Sequence, residues 1–536
     1  MAKTQPEIKI SFAFIALFFT AFLFAPLLIL LVNSFTSAQG FGLANYMTVV
    51  GDKDLIAAIG HSVQISILTA VITTGLAFIL AYAVNCTLIG KPIQTVIKIG
   101  IIIPMLLPTI TYGFAIIYSF GKQGLLTKFF GREFLEIYGF NGLLMGYVIY
   151  TLPFAFLLLN NSFHYIDKKF IIVSTLMGDN FFKSFRNTIL RPMIGTIGGA
   201  FVLAFILSFT DFGIPASVGG TYNVIATQLY QVMLGTLPNF NTGSVIAIFM
   251  LMPAILGVLL LSYLEKFNFH YDSIVSQELI PNKWRDWSFA VISLATIAGI
   301  AAVFLVMFVA PFVNDFPYDM KFTTRFFQST LFSNRTLDVY ENSLFVAGIS
   351  AVLGTLISYS AALINTRTNI VKTAKMSMDV FSMISNTVPG MVLGLAYLMF
   401  FNASDLKGTF TIIIFCNVVH LFTTPYLMAK NSLSKMNSAW EVTGELMGDT
   451  WFKTIMRVII PNSLATIIEM FGYYFINAMV TISAVIFLVT ARTSVVTSKI
   501  KELQHFANFN EIFVLSILIF LTNFLVKCCC DFAHKK

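Results

Sequence analysis

One pattern constrains this chain more than any other: Leu-Met-Gly-Asp-x-x-Phe-Lys occurs twice, at Leu176–Lys183 and at Leu446–Lys453, 270 residues apart in a chain of 536. Both copies are polar islands between long apolar runs, and a proline follows each, Pro192 and Pro461. Apolar residues at helical spacing surround each glycine: Phe170, Val173, Leu176 and Met177 in the first copy, Trp440, Leu446 and Met447 in the second. Each copy therefore predicts a short helix, a break at Gly178 or Gly448, and a second short helix. Asp179 and Asp449 stand where they are expected to cap that second helix. A membrane chain that shows the same surface twice is expected to meet a partner with two equivalent faces.

The surroundings of the two copies fix the class of protein. Hydrophobic residues make up 57% and charged residues 11%, with a mean hydropathy of +0.83, values no ordinary soluble domain reaches. Apolar runs of bilayer-crossing length fall near residues 11–32, 62–85, 96–119, 141–160, 193–216, 243–264, 287–312, 343–366, 376–401, 409–429, 462–489 and 512–527. The first is too long for the core of a cleaved signal peptide and reads as a retained span. The chain is expected to be an all-α polytopic membrane protein with about twelve spans.

The second half retraces the first. Asn342-Ser343 opens span eight as His61-Ser62 opens span two, and Pro389-Gly390 in span nine matches Pro108-Thr109 in span three, both at an offset of 281. Asn431-Ser432 matches Asn161-Ser162 at an offset of 270, because the loop after span three is longer in the first half. Two six-span halves share one orientation, a parallel duplication. Of the 33 Lys and Arg residues, 22 fall at the termini, in the even-to-odd connections or at the span ends beside them (Lys98 and Lys527). That excess places both termini and both repeated elements in the cytoplasm and accounts for the net charge of +8 without nucleic acid.

The glycine-to-proline elements resemble the "EAA" loop, EAA-x3-G-x9-I-x-L-P, which lies between the fourth and fifth spans of type I permeases in bacterial binding-protein-dependent ABC importers. The second copy keeps the full spacing from Gly448 to Pro461, with Ile460 before the proline; the first has one extra residue, and Arg191 replaces the usual leucine. The Glu-Ala-Ala positions hold Ile172-Val173-Ser174 and Val442-Thr443-Gly444, with Glu441 one place early. The Asn-Ser before a span, Pro-Gly-x-x-x-Gly at Pro389–Gly394 and the tandem arrangement are similar to the fused permeases of ferric-iron, 2-aminoethylphosphonate and thiamine importers. The resemblance implies two six-helix type I domains, at 1–264 with its loop at 163–192 and at 287–536 with its loop at 431–461, joined by a charged cytoplasmic linker at 265–286. It implies two copies of an ATPase subunit, which hold the ATP and Mg, and an extracytoplasmic solute-binding protein. No Gly-x-x-x-x-Gly-Lys-Ser/Thr loop occurs in this chain, which is expected to bind no cofactor of its own.

In that arrangement the ATPase-coupling residues are Phe170, Leu176, Met177, Gly178, Asp179, Lys183, Trp440, Glu441, Leu446, Met447, Gly448, Asp449 and Lys453. The fifth spans of the two halves would meet at the translocation path, and polar residues are costly in lipid unless they face an interior. Asp211, late in span five, and Asn477, Thr481 and Ser483 in span eleven are accordingly the pathway candidates. Thr and Ser in such places also bond their own helix. The six histidines lack zinc-ligand spacing, so no metal site is expected. No nucleophile–base pair or paired carboxylates point to an enzyme. A twelve-span secondary transporter would also have parallel halves, but a glycine-broken helical pair after spans four and ten is not expected of it. The fused architecture and the Thr210-Asp-Phe-Gly and Thr481–Phe487 stretches look most like the ferric-iron and aminoethylphosphonate branches, with thiamine or another small polar solute as the alternative cargo.

Overall fold

A computed structural model describes residues 6–37, 40–133, 135–163, 166, 169–235, 237–264, 266, 282–332, 334–368, 370–437 and 439–535. Most of the predicted linker, residue 265 and residues 267–281, lies outside the described residues. Among the described residues, seven helices are long and apolar enough to cross a bilayer: Pro6–Phe35, Lys53–Cys86, Phe140–Phe163, Phe240–Leu264, Lys283–Phe312, Arg335–Arg367 and Phe509–Ala533. Five further segments are bent helix pairs, and counting each pair as one span gives twelve. The all-α polytopic architecture is therefore present, with straight and broken spans mixed.

The bends depart from the expectation of uninterrupted spans, and the two sharpest have a physical cause. Span three turns by 109° between Lys91–Leu106 and Thr109–Phe130, and span nine by 103° between Lys372–Thr387 and Gly390–Phe400. Pro108 and Pro389 stand at these breaks in extended backbone, where a residue without an amide proton cannot continue the helix. The Pro104 carbonyl accepts the Leu107 amide at 3.1 Å and the Tyr112 hydroxyl as well, so the broken backbone of span three is satisfied inside the protein rather than by lipid. Spans five and eleven are shorter than the apolar runs suggest: their helices end at Thr210 and Val480. Spans two and eight, by contrast, start well before them, at Lys53 after the Asp52 cap and at Asn334. Hydropathy measures the bilayer, not the helix. Span seven likewise begins at Lys283, capped by Asn282, four residues inside the predicted linker.

The chain packs as two compact units that differ from the two halves of the repeat. One holds residues 50–231 and 252–326; the other holds 1–49, 232–251 and 327–536. The unit containing spans two to five thus also contains span seven: Phe289 lies 4.6 Å from Tyr82 and Phe304 5.1 Å from Tyr112, centroid to centroid, and Gly100 leaves room for Ile297. The unit containing spans eight to twelve takes in span one. There Phe19 stacks on Phe381 at 5.0 Å, and the Tyr397 hydroxyl donates to the Phe22 carbonyl within a π-helical turn, Thr20–Phe24. A short antiparallel hairpin follows each of these two spans, Thr36–Ser37 with Gly40–Phe41 and Val313–Asp315 with Asp319–Phe322.

Candidate functional site: coupling loops and span breaks

The two repeated motifs fold alike. Helices Lys169–Leu176 and Ala439–Leu446 end in a left-handed glycine, Gly178 at φ +78° and Gly448 at φ +77°. The amide of Asp179 bonds the Ser174 carbonyl at 3.1 Å and that of Asp449 the Gly444 carbonyl at 2.9 Å, the six-to-one closure of a Schellman cap. A side chain at either glycine would touch nothing within 4 Å, so backbone conformation alone demands it. The second helices, Phe181–Phe185 and Trp451–Thr454, each run into a π-helical turn, Arg186–Leu190 or Ile455–Ile459, ahead of the proline.

One expectation is corrected. Asn180 and Thr450, not the aspartates before them, cap the second helices, accepting from the amides of Lys183 and Lys453. Asp179 and Asp449 are turned back instead, into ion pairs with Lys183 (2.6 Å) and Lys453 one helical turn on. The Lys183 ammonium, followed by the Ser174 hydroxyl at 2.8 Å, holds the Asp179 carboxyl below its ordinary range. The turn is thereby braced from within, and its apolar tip is left bare. Leu176 is 82% and Met177 79% exposed; Leu446 is 83% and Met447 78%. Phe170 is exposed beside the first tip and Trp440 half-buried beside the second. Phe182 and Phe452 also face outward and extend each tip, although their place in the repeat was the only sequence signal for them. Glu441 does not face outward with the tip: it pairs with Arg367, a partner 74 residues away that the sequence did not suggest.

The pathway candidates lie where spans five and eleven stop being helical. Asp211 is 8% exposed, and its Oδ2 accepts the Ile214 amide at 2.9 Å while the Thr109 hydroxyl donates to the same carboxylate. It fastens the short helix Gly213–Val218 to the break in span three. A Cβ on Gly213 would sit 2.1 Å from Thr109 Oγ1 and 2.6 Å from the Ile110 nitrogen. In the other unit Thr481 ends the span-eleven helix and donates to the Asn477 carbonyl at 2.7 Å, while the Asn477 amide donates to Tyr473 O at 2.8 Å. Ser483 sits against Gly390 in the break of span nine, 2.6 Å from where a Cβ would be.

The matched polar pairs at the starts of spans two and eight have matched tasks. The Ser62 hydroxyl accepts the Ile225 amide at 2.8 Å and the Ser343 hydroxyl the Val496 amide at 2.7 Å. His61 Nδ1 lies 3.0 Å from Asn223 O, and Asn342 donates to Ser494 O at 3.1 Å. These residues hold the connections that follow spans five and eleven.

Comparison with known proteins places this geometry. Residues 74–268 and 354–531 match the family described as the binding-protein-dependent transport system inner membrane component. The chain belongs to this family. Two copies of the family domain in tandem make it a fused permease, a multi-pass protein of the bacterial inner membrane. A putative ferric transport system permease protein of Haemophilus influenzae is 25% identical over 491 residues, covering 88% of this chain and 77% of that one. A ferric transport system permease protein of Actinobacillus pleuropneumoniae is 24% identical over 495 residues, covering 89% and 71%. A thiamine transport system permease protein of Haemophilus influenzae is 24% identical over 335 residues, covering 58% of each chain.

Proposed function

We propose that this chain is the membrane-spanning subunit of an ATP-driven importer that carries ferric iron delivered by an extracytoplasmic binding protein. The observation that carries the reading is the pair of bare apolar tips at Leu176-Met177 and Leu446-Met447, built on the same glycine turn and the same internal ion pair. Apolar surface of that kind on a short, doubly anchored helix suits the groove of a partner, and two copies suit two ATPase subunits. Lys183 and Lys453, paired with Asp179 and Asp449, give each tip a polar rim. ATP closure would then move each loop, and through it the bundle, without chemistry in this chain. The breaks after spans five and eleven, with Asp211, Asn477, Thr481 and Ser483, border the route of the cargo in this reading. Ferric iron is favoured over 2-aminoethylphosphonate or thiamine because the ferric permeases match nearly nine-tenths of the chain.

The test is uptake of radiolabelled ferric iron by cells carrying the chain with its ATPase and binding protein. Replacing Gly448 by Val forces a β-branched residue into left-handed backbone and is expected to abolish uptake while the protein still reaches the membrane. Normal uptake by that variant, or uptake that follows an ion gradient with no ATPase present, would overturn the reading.

A further inference from the structure

Arg367 ends span eight, and its side chain is only 5% exposed. Its guanidinium donates to both carboxylate oxygens of Glu441, from Nε at 2.5 Å and Nη2 at 2.6 Å, and to the carbonyls of Met436 and Asn437, each at 2.9 Å. A bidentate, charge-assisted fork of this kind is rigid as well as strong. It ties the second coupling helix, Ala439–Leu446, directly to the end of a helix that begins at Asn334. Two more polar links continue along the same helix. Tyr359 Oη meets Ser463 Oγ at 2.6 Å, at the 76° bend between Trp451–Asn462 and Leu464–Val480, and Ser358 Oγ meets Tyr474 Oη at 2.7 Å.

The first half has none of these partners. At the offsets of the repeat, Arg367 and Glu441 correspond to Cys86 and Ile171, Tyr359 and Ser463 to Phe78 and Met193, and Ser358 and Tyr474 to Ala77 and Ala204. Hydroxyl, carboxylate and guanidinium are missing from all six positions. A link that does occur in both halves, Ser162 with Thr196 and Ser432 with Thr466, each at 3.0 Å, shows that the alignment pairs true counterparts.

We propose that the two coupling loops are mechanically inequivalent, and that Arg367 is the positioning residue that makes the second loop and span eight move as one body. A displacement applied at Leu446-Met447 reaches the membrane through a chain of oriented hydrogen bonds. At the first loop the counterpart residues carry no guanidinium, carboxylate or hydroxyl from which the same chain of bonds could be built. The inference rests on the coupling role proposed above.

The experiment uses the complete importer reconstituted in proteoliposomes with its ATPase and binding protein. Ferric iron moved and ATP hydrolysed are measured together, and their ratio is the readout. The double variant R367M/E441M removes both charges at once, which avoids stranding a buried ion. It is expected to keep its ATPase and to hydrolyse ATP while the ratio falls at least tenfold; the reversed pair R367E/E441R recovers most of that loss. In the first loop, Ile171→Ala changes the ratio less than twofold. An unchanged ratio in R367M/E441M, or an equal fall in Ile171→Ala, would overturn the inequivalence. A separate arm keeps the two readings apart: L446E/M447E is expected to release the ATPase, and its retention would sink the coupling role itself.

Discussion

The seats behind spans five and eleven solve one packing problem with opposite choices of residue. In each, the chain leaves the membrane helix and lies against the break of span three or span nine. In the first, the approaching segment supplies glycine and the break supplies a hydroxyl, Gly213 on Thr109. In the second, the segment supplies the hydroxyl and the break the glycine, Ser483 on Gly390. By the repeat offsets these are the same two positions with the roles exchanged. One turn on, Gly113 makes room for Ser217 and Gly394 for the Ala484 carbonyl. Duplication preserved the closeness of the contact, not the identity of the residue that permits it. The difference also shows in Asp211, which braces the first seat with a carboxylate where Thr481 offers only a hydroxyl to its own helix.

The largest effects are expected where a new side chain meets backbone. Gly213→Val and Gly394→Val push a Cβ to 2.6 Å from the Ile110 nitrogen and 2.4 Å from the Ala484 carbonyl oxygen, which cannot swing aside. Each should cost roughly 3 kcal/mol or more and strip most of the folded protein from detergent extracts on size-exclusion chromatography. The exchange itself is tested next. Gly390→Thr alone should lower stability by about 2 kcal/mol, read as an earlier thermal transition, and adding Ser483→Gly should recover most of that by recreating the first seat in the second. If the two losses simply add, the reciprocal fit is wrong. Smaller changes are expected from Asp211→Asn, about 1 kcal/mol from weakened acceptance of the Ile214 amide, and from Thr481→Val, below that in the same thermal assay.

The fold was legible where it depended on counting. Bilayer-length runs placed the spans, and the shared polar landmarks exposed the duplication, because hydrophobicity and spacing are local properties of a chain. The helix, break and second helix around Gly178 and Gly448 followed from residue type and spacing, whereas the exposure of the tips beside them did not. The bends of spans three and nine did not, since hydropathy records how apolar a segment is and not where it points; Pro108 and Pro389 hinted at a break without its angle. Capping by Asn180 and Thr450 in place of the aspartates turned on a register of one residue. Arg367 was out of reach for a different reason. Its partner is 74 residues away, and the pair exists in one half only, so neither periodicity nor repetition could announce it.

The exchange of spans one and seven between the repeat halves bears on how the protein is made. Span one is synthesised hundreds of residues before its neighbours at Phe381 and Tyr397. Spans two to five meet their ring partners Phe289 and Phe304 only once span seven has followed them. A cut between the repeat halves would therefore part span one from the unit in which it packs, and span seven likewise.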